Sequence, residues 1–350
     1  MSVGMSPESR GIPSSKVNRP MRDASIQGRA RPVTMTLAES YRMVKGSIVA
    51  FCPKHIAAQA GETPAMFPPI IGTGFIVSED GIIVTNDHVA RVFRKQYRPP
   101  GPHKDDWGVF AMFLHAIPEG QVEIPLQVIG AAPYGEFVKQ PEADGLSRPD
   151  VAFVQVKARG LPFVTVSEDD GLVEGSEMAT AGFPMGADAL TAPGYVHQVC
   201  PTLQSGIISA VLPFACPRPH AFTINVMTQA GASGSPAFDP TTGEVVGVLY
   251  AGLGDIGVTK QNDIYRIPTN ITYVVPGHYI RRLLDKVIGN PAVRAPEDAM
   301  TIEAMLKGRK FLDAFANPRR YEIQENKQGR RRLRIGTLSE AYTLSKPVQA

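Results

Sequence analysis

The chain has 350 residues, is 43% hydrophobic and 20% charged, and carries a formal net charge of +3. This is a globular composition with room for one large domain or two small ones, and a charge so near balance names no nucleic-acid partner by itself. Three cysteines are too few for a disulfide scaffold, and no run of about 18 apolar residues reads as a membrane span.

Residues 1–35 are rich in Ser, Pro, Gly and Arg and lack hydrophobic periodicity. They read as a disordered, mildly basic tail. Pro7, Pro13, Pro20 and Pro32 argue against an amphipathic targeting helix, and no apolar leader precedes them, so a cytoplasmic place is expected. A short helix is expected at Thr36–Lys45. Strands then follow in quick succession. Ile48–Cys52 is apolar, and Gly74–Val77 and Ile82–Val84 flank Glu79-Asp80-Gly81, a strong hairpin turn. Further strands are expected at Val109–Leu114, Val122–Ile129, Asp150–Val156, Met178–Phe183, Tyr195–Val199, Ser205–Leu212, Ala221–Val226, Val245–Tyr250 and Asp263–Ile267. Cys200 and Cys216 flank one of these; a pair and two reduced thiols both fit that placement. Tyr279, Ile280, Leu283, Leu284, Val287 and Ile288 recur at helical spacing, with Pro276 at the entry and Gly289 at the place of a C-cap glycine. Many short strands closed by one helix give an all-β architecture of β-barrels with a docked C-terminal helix.

Residues 291–350 change character, with Lys307-Gly-Arg-Lys310, Arg319-Arg320 and Arg330-Arg-Arg-Leu-Arg334 and a short helix expected around Thr301–Phe315. They read as a basic C-terminal extension. It is either draped on the surface or an arm for nucleic acid or another acidic partner.

The chemistry is sought at Gly231-Ala-Ser-Gly-Ser-Pro236, a small-residue turn between two apolar runs. A serine hydroxyl needs a general base, and that base, if imidazole, needs an anion to fix its tautomer. The turn must also offer N–H groups to a developing oxyanion. Gly231, free of a Cβ, and Ser233 supply two such amides. Among seven histidines only His88 stands in a telling context, at the end of a hairpin strand where a short turn follows; His55, His103, His115, His197, His220 and His278 read as surface or core residues. Asp150 opens an alternating strand that has no other charge, whereas Asp105, Asp106 and Asp144 lie in polar loops.

The motifs TNDHVA (85–90), DVAFVQV (150–156) and GASGSP (231–236) occur in the order His, Asp, Ser. That order belongs to the chymotrypsin-like fold. Together with Gly72–Val89, Ala181–Gly186, Gln204–Ala210 and Gly243–Gly252, they make residues 45–290 resemble the HtrA/Deg group of trypsin-like serine peptidases. The resemblance implies two six-stranded antiparallel β-barrels over a peptidase domain at 36–290. It makes His88 the base, Asp150 its orienter and Ser233 the nucleophile, with the Gly231 and Ser233 amides as oxyanion hole. It implies a polypeptide substrate laid along the Val248–Gly252 strand, and no metal or cofactor. The specificity pocket is expected near Met227, Thr228, Gln229, Tyr250, Ala251 and Gly252; with no acidic residue there, a small or medium apolar side chain is expected before the scissile bond. Protein quality control or regulated proteolysis is the role the resemblance carries.

The sequence departs from the group at Ala232, where most members have Asn, and at Ser235, where they have Gly. Ala232 cannot form the ion pair that couples digestive relatives to zymogen cleavage, so activity without activating proteolysis is expected. The residues after Asn290 are too few and too basic for the PDZ domain usual in the group, and PDZ gating and trimer formation are not carried over. Two long loops, Gln96–Trp107 and Ala131–Pro149, either cover the cleft or are idle insertions. A catalytically silent peptide-binding module and a peptidase tethered to nucleic acid by its basic tail are the rival readings.

Overall fold

The computed structural model describes residues 34–54, 69–97, 107–117, 120–137, 148–184, 200–258, 264–290, 293–307, 320–325 and 331–336. Most of the expected N-terminal tail, the strand expected at Tyr195–Val199 and much of the basic extension fall outside these residues. The elements are α1 (Leu37–Lys45), β1 (Ile48–Pro53), β2 (Gly72–Ser78), β3 (Ile82–Thr85), α2 (Asp87–Val92), β4 (Val109–Ile117), β5 (Gly120–Pro133), α3 (Tyr134–Phe137), β6 (Ala152–Val156) and β7 (Ala158–Arg159). They continue with β8 (Glu177–Gly182), β9 (Thr202–Leu212), β10 (Ala221–Ile224), β11 (Pro236–Phe238), β12 (Val245–Val258), β13 (Ile264–Pro276), α4 (Gly277–Ile288), β14 (Met300–Thr301), α5 (Ile302–Leu306), β15 (Arg320–Glu325) and β16 (Arg331–Gly336).

Two closed barrels organise the molecule. The first has strand order β1-β2-β3-β6-β5-β4 and the second β10-β13-β12-β11-β8-β9. Every neighbour pair in both is antiparallel. The expected all-β class with two six-stranded barrels and a C-terminal helix is the architecture observed.

The reason β1 reads as an unbroken apolar run, rather than as an alternation, is that both of its faces are buried. Val49 and Phe51 join the interior of barrel 1 with Ile76, Ile83, Phe113 and Val154. Ile48, Ala50 and Cys52 face the other way, into a layer shared with barrel 2 residues Ala179, Ala181, Phe238 and Val245 and helix residues Ile280 and Leu283. Barrel 2 keeps its own interior of Ile208, Phe222, Ile224, Leu249 and Val274. A fully buried Phe51 contributes roughly 1.5–3 kcal/mol by transfer from water. All three cysteines are free.

The chain ends of this domain cross over. Helix α1 precedes barrel 1 but docks on barrel 2, where Met35 N–H donates to Thr241 O (3.0 Å) and Tyr41 Oη to Pro201 O (2.8 Å). Its start is fixed by a capping box between Thr36 and Glu39. The segment after α4 leaves barrel 2 and docks on barrel 1. There β14 pairs in parallel with β7, Gln155 Nε2 donates to Val293 O (2.7 Å), Lys157 pairs with Asp298, and Ile302 is buried against the barrel 1 cluster.

Gly289 is the C-cap of α4, as its place in the sequence suggests, in the right-handed region (φ −73°) with its N–H bonded to Asp285 O. The helix expected at Thr301–Phe315 is observed as α5, with Thr301 as its N-cap; residues 308–319 lie outside those described.

Candidate active site

Barrel 1 supplies the histidine and the acid. The hairpin β2–β3 turns through Glu79-Asp80-Gly81, and Gly81 takes φ +81° as this turn demands. Strand β3 ends at Thr85, and Asn86, in extended conformation (φ −83°, ψ 152°), opens α2. His88 thus sits in the first turn of a short helix, where the sequence suggests only a turn. The helix matters because it aims a backbone donor as well as the ring. His88 N–H donates to Asp150 Oδ1 (2.9 Å), and His88 Nδ1 lies 2.6 Å from Asp150 Oδ2. Asn86 Nδ2 adds a bond to the Asp150 carbonyl (2.8 Å). The side chains are 45% and 26% exposed, so the pair lies at the mouth of a cleft, not in the core. Asp150 stands two residues before the observed start of β6, held by its buried neighbour Val151, whose carbonyl accepts from Tyr134 N–H (2.8 Å).

Barrel 2 supplies the serine. Gly231 and Gly234 take φ +94° and +89°, a region costly for other residues. Ala232 N–H donates to Gln229 O (3.1 Å), Gly234 N–H to Leu249 O (2.9 Å) and Ser235 N–H to Ala232 O (3.0 Å). Among the described residues, the amides of Gly231 and Ser233 donate to no backbone carbonyl. The amides of Ala232, Gly234 and Ser235 are thus engaged, within the turn or on β12, and the two named from the sequence have no backbone partner.

Thr73 has no signature in the sequence that marks it for the site. It is fully buried on β2, and it clamps the barrel 2 turn from barrel 1. Its N–H donates to Ser233 O (2.8 Å) and its Oγ1 to Gly231 O (2.7 Å), while it accepts from Phe183 N–H (3.2 Å). Thr85 Oγ1 donates in turn to Thr73 O (2.7 Å). A Cβ on Gly234 would fall 1.9 Å from Thr73 O, so no side chain fits there. Ser235 also braces the turn. Its Oγ donates to Ala232 O (2.6 Å), and a Cβ on Gly182 would collide with that hydroxyl at 1.9 Å.

Ser233 opens onto a cleft of about 500 Å³ that carries no charged side chain and is lined by Thr228, Gln229, Tyr250, Ala251 and Gly252, among others. Met227 does not line it. Thr228 Oγ1 is tied to Thr272 Oγ1 (2.9 Å), which is tied to Val226 O (2.7 Å), so Thr228 faces the cleft and Met227 turns outward, 40% exposed. Tyr250 is the extra residue of a bulge in β12, between the pairs Leu249–Val274 and Ala251–Tyr273. Burial raises its phenol above the usual value, with smaller contributions from Tyr273 and Asp150. The structure joins His88 directly to Asp150; among the described residues, no hydrogen bond joins Ser233 to His88. Of the histidines set aside, His115 stacks on Phe113 and is pushed down by burial, while His220 Nδ1 and the ring of His278 lie against Tyr279. His55, His103 and His197, like Asp105, Asp106 and Asp144, lie outside the described residues.

The family described as trypsin-like peptidase domain matches residues 72–248, more than half of the chain. The chain belongs to that family. Among curated proteins it is 25% identical over 244 residues to the "Probable periplasmic serine endoprotease DegP-like" of Brucella suis, covering 69% of this chain and 37% of that one. The protein of the same name from Halomonas elongata is 31% identical over 181 residues, covering 51% and 28%. The chain thus spans about a third of the length of these relatives. Among solved structures, the HtrA-type protease AlgW with tripeptide aligns over 73% of this chain and 64% of its own, at 18% identity and a TM-score of 0.43. The serine endoprotease from Yersinia pestis aligns over 74% and 68%, at 17% identity and a TM-score of 0.42.

The relatives' names correct one expectation. They are named as probable periplasmic proteins, which speaks against the cytoplasmic place inferred from the lack of an apolar leader. A cellular address is carried by processed segments and not by the fold of the domain. Among the described residues, no helix is long and apolar enough to cross a membrane.

Proposed function

We propose that this domain hydrolyses peptide bonds in polypeptide substrates with His88, Asp150 and Ser233 as its catalytic residues. The observation that carries the reading is the pair of hydrogen bonds between His88 and Asp150: the His88 backbone N–H donates to one carboxylate oxygen, and the other lies 2.6 Å from Nδ1. A carboxylate there assigns the proton to Nδ1 and leaves Nε2 as the base. Ser233 Oγ attacks the substrate carbonyl carbon as Nε2 takes its proton. The carbonyl oxygen becomes an oxyanion, and the amides of Gly231 and Ser233 donate to it. The C–N bond then breaks, His88 gives its proton to the leaving amine, and an ester to Ser233 is left. Water, deprotonated by His88, attacks that ester; its C–O bond breaks and Ser233 regains its proton. The uncharged cleft beside Ser233 takes an uncharged side chain before the scissile bond.

The two unengaged amides support a hole that is ready without zymogen cleavage, since Ala232 needs no partner to hold the turn. The test is labelling of the purified protein by a fluorophosphonate. Wild type is expected to label and Ser233→Ala not to. Equal labelling of the two would remove Ser233 from the mechanism. Retained peptidase activity in Asp150→Ala would remove Asp150.

A further inference from the structure

A second cleft, of about 860 Å³, is lined by both His88 and Asp150 and not by Ser233. Its charges are not evenly committed. Asp87 is paired with Arg91, Glu136 with Arg94 (2.7 Å), and Asp150 with His88. That uses every carboxylate in the lining. Lys95 and Arg148 line the same cleft, are exposed, and among the described residues have no carboxylate partner. The surplus is positive and lies beside the site.

Arg148 also packs against the chain beside it. It stands two residues before Asp150 and lines the same cleft as His88. Its guanidinium rests over Gly135 in α3, where a Cβ would fall 2.6 Å from Nη1. Glycine there leaves the space that the planar head occupies. A guanidinium so placed presents a fork of donors that matches a carboxylate, and a lysine beside it adds a point charge.

We propose that Lys95 and Arg148 form a subsite for an acidic side chain of the polypeptide substrate, close to the scissile bond. The proposal rests on the catalytic reading above and extends it from reaction to substrate class. An acidic residue seated there adds binding energy away from the reacting atoms, which a peptidase can use in the transition state. Both groups are exposed, so the preference is sensitive to salt.

The experiment scans Asp and Glu against Asn and Gln at each position flanking the cleaved bond, in internally quenched peptides. One position is expected to favour the acid by about tenfold in kcat/KM, the scale of one charge-assisted bond. Raised ionic strength is expected to shrink that ratio. Arg148→Glu is expected to invert it toward Lys at the same position, with fluorophosphonate labelling of Ser233 unchanged. Gly135→Ala, which displaces the guanidinium, is expected to weaken it. Equal cleavage of acid and amide peptides would overturn the proposal, as would an acid preference that survives in the Lys95→Glu/Arg148→Glu double variant. Binding of the same fluorescent peptides to Ser233→Ala, read by anisotropy, decides the subsite without turnover. Absent labelling of wild type with tighter acidic-peptide binding would sink the catalytic reading and leave the subsite standing.

Discussion

The two halves of the site are held by opposite means. His88 and Asp150 are fixed by three hydrogen bonds, two between their own partly exposed groups and one from buried Asn86, on a short helix and a loop end. The Ser233 turn is fixed by buried hydroxyls from the other barrel, left-handed glycines and contacts with no room to spare. The difference follows from what each half does. An imidazole moves a proton between two partners and gains from some freedom. An oxyanion hole stabilises charge only if its donors already point at it. On the proposed mechanism, rigidity is thus placed where reorganisation would cost rate.

The largest effect is expected on the exposed half. Asp150→Asn is expected to lower kcat by about 10⁴-fold by favouring the wrong tautomer, as in related triads. Its denaturation midpoint should change little, because the group is at the surface. A matching collapse in stability would show that the two halves are not held differently.

On the rigid half the order reverses, with stability lost along with activity. Gly234→Ala puts a methyl group 1.9 Å from Thr73 O at φ +89°, and a loss of about 3 kcal/mol or more is expected in chemical denaturation. Thr73→Val keeps the shape and removes the hydroxyl. It should cost about 1–3 kcal/mol through the unpaired Gly231 carbonyl and Phe183 amide, and slow fluorophosphonate labelling. Labelling at the wild-type rate would separate the clamp from the hole. The smallest effect is expected from Ser235→Gly. Losing its bond to Ala232 O should cost about 1 kcal/mol with labelling retained, since the turn keeps its backbone bonds.

What the sequence makes legible is what depends on local pattern. Period-two alternation, the Glu79-Asp80-Gly81 turn and the helical spacing of Tyr279–Ile288 place most of both barrels and α4. His88 and Asp150 are legible because each borders an apolar stretch that contains no competing charge. Other features have no local signature. Pro236–Phe238 is too short for any periodicity, so β11 passes unseen. Thr73, within Gly72-Thr-Gly74, reads as an ordinary strand residue, and its bond to Gly231 spans 158 positions. Ser235 looks like a drift from glycine until Gly182 is found beside it, leaving the space for its hydroxyl. Met227 and Thr228 are adjacent and equally plausible as pocket walls; only the bond to Thr272 tells which one faces in.

The crossed straps have a consequence for how the molecule is made. Barrel 1 is complete in sequence at β6, yet residues 300–306, which follow all of barrel 2, pair with Ala158–Arg159 and pack on its buried cluster. On the ribosome, the first half therefore emerges with a sticky flank that must wait for the second half to be translated. The helix that precedes it, α1, waits likewise for its seat near Thr241. The first half lacks both Ser233 and these docking residues, so the later part of the chain supplies the nucleophile of the proposed mechanism together with the cover for barrel 1.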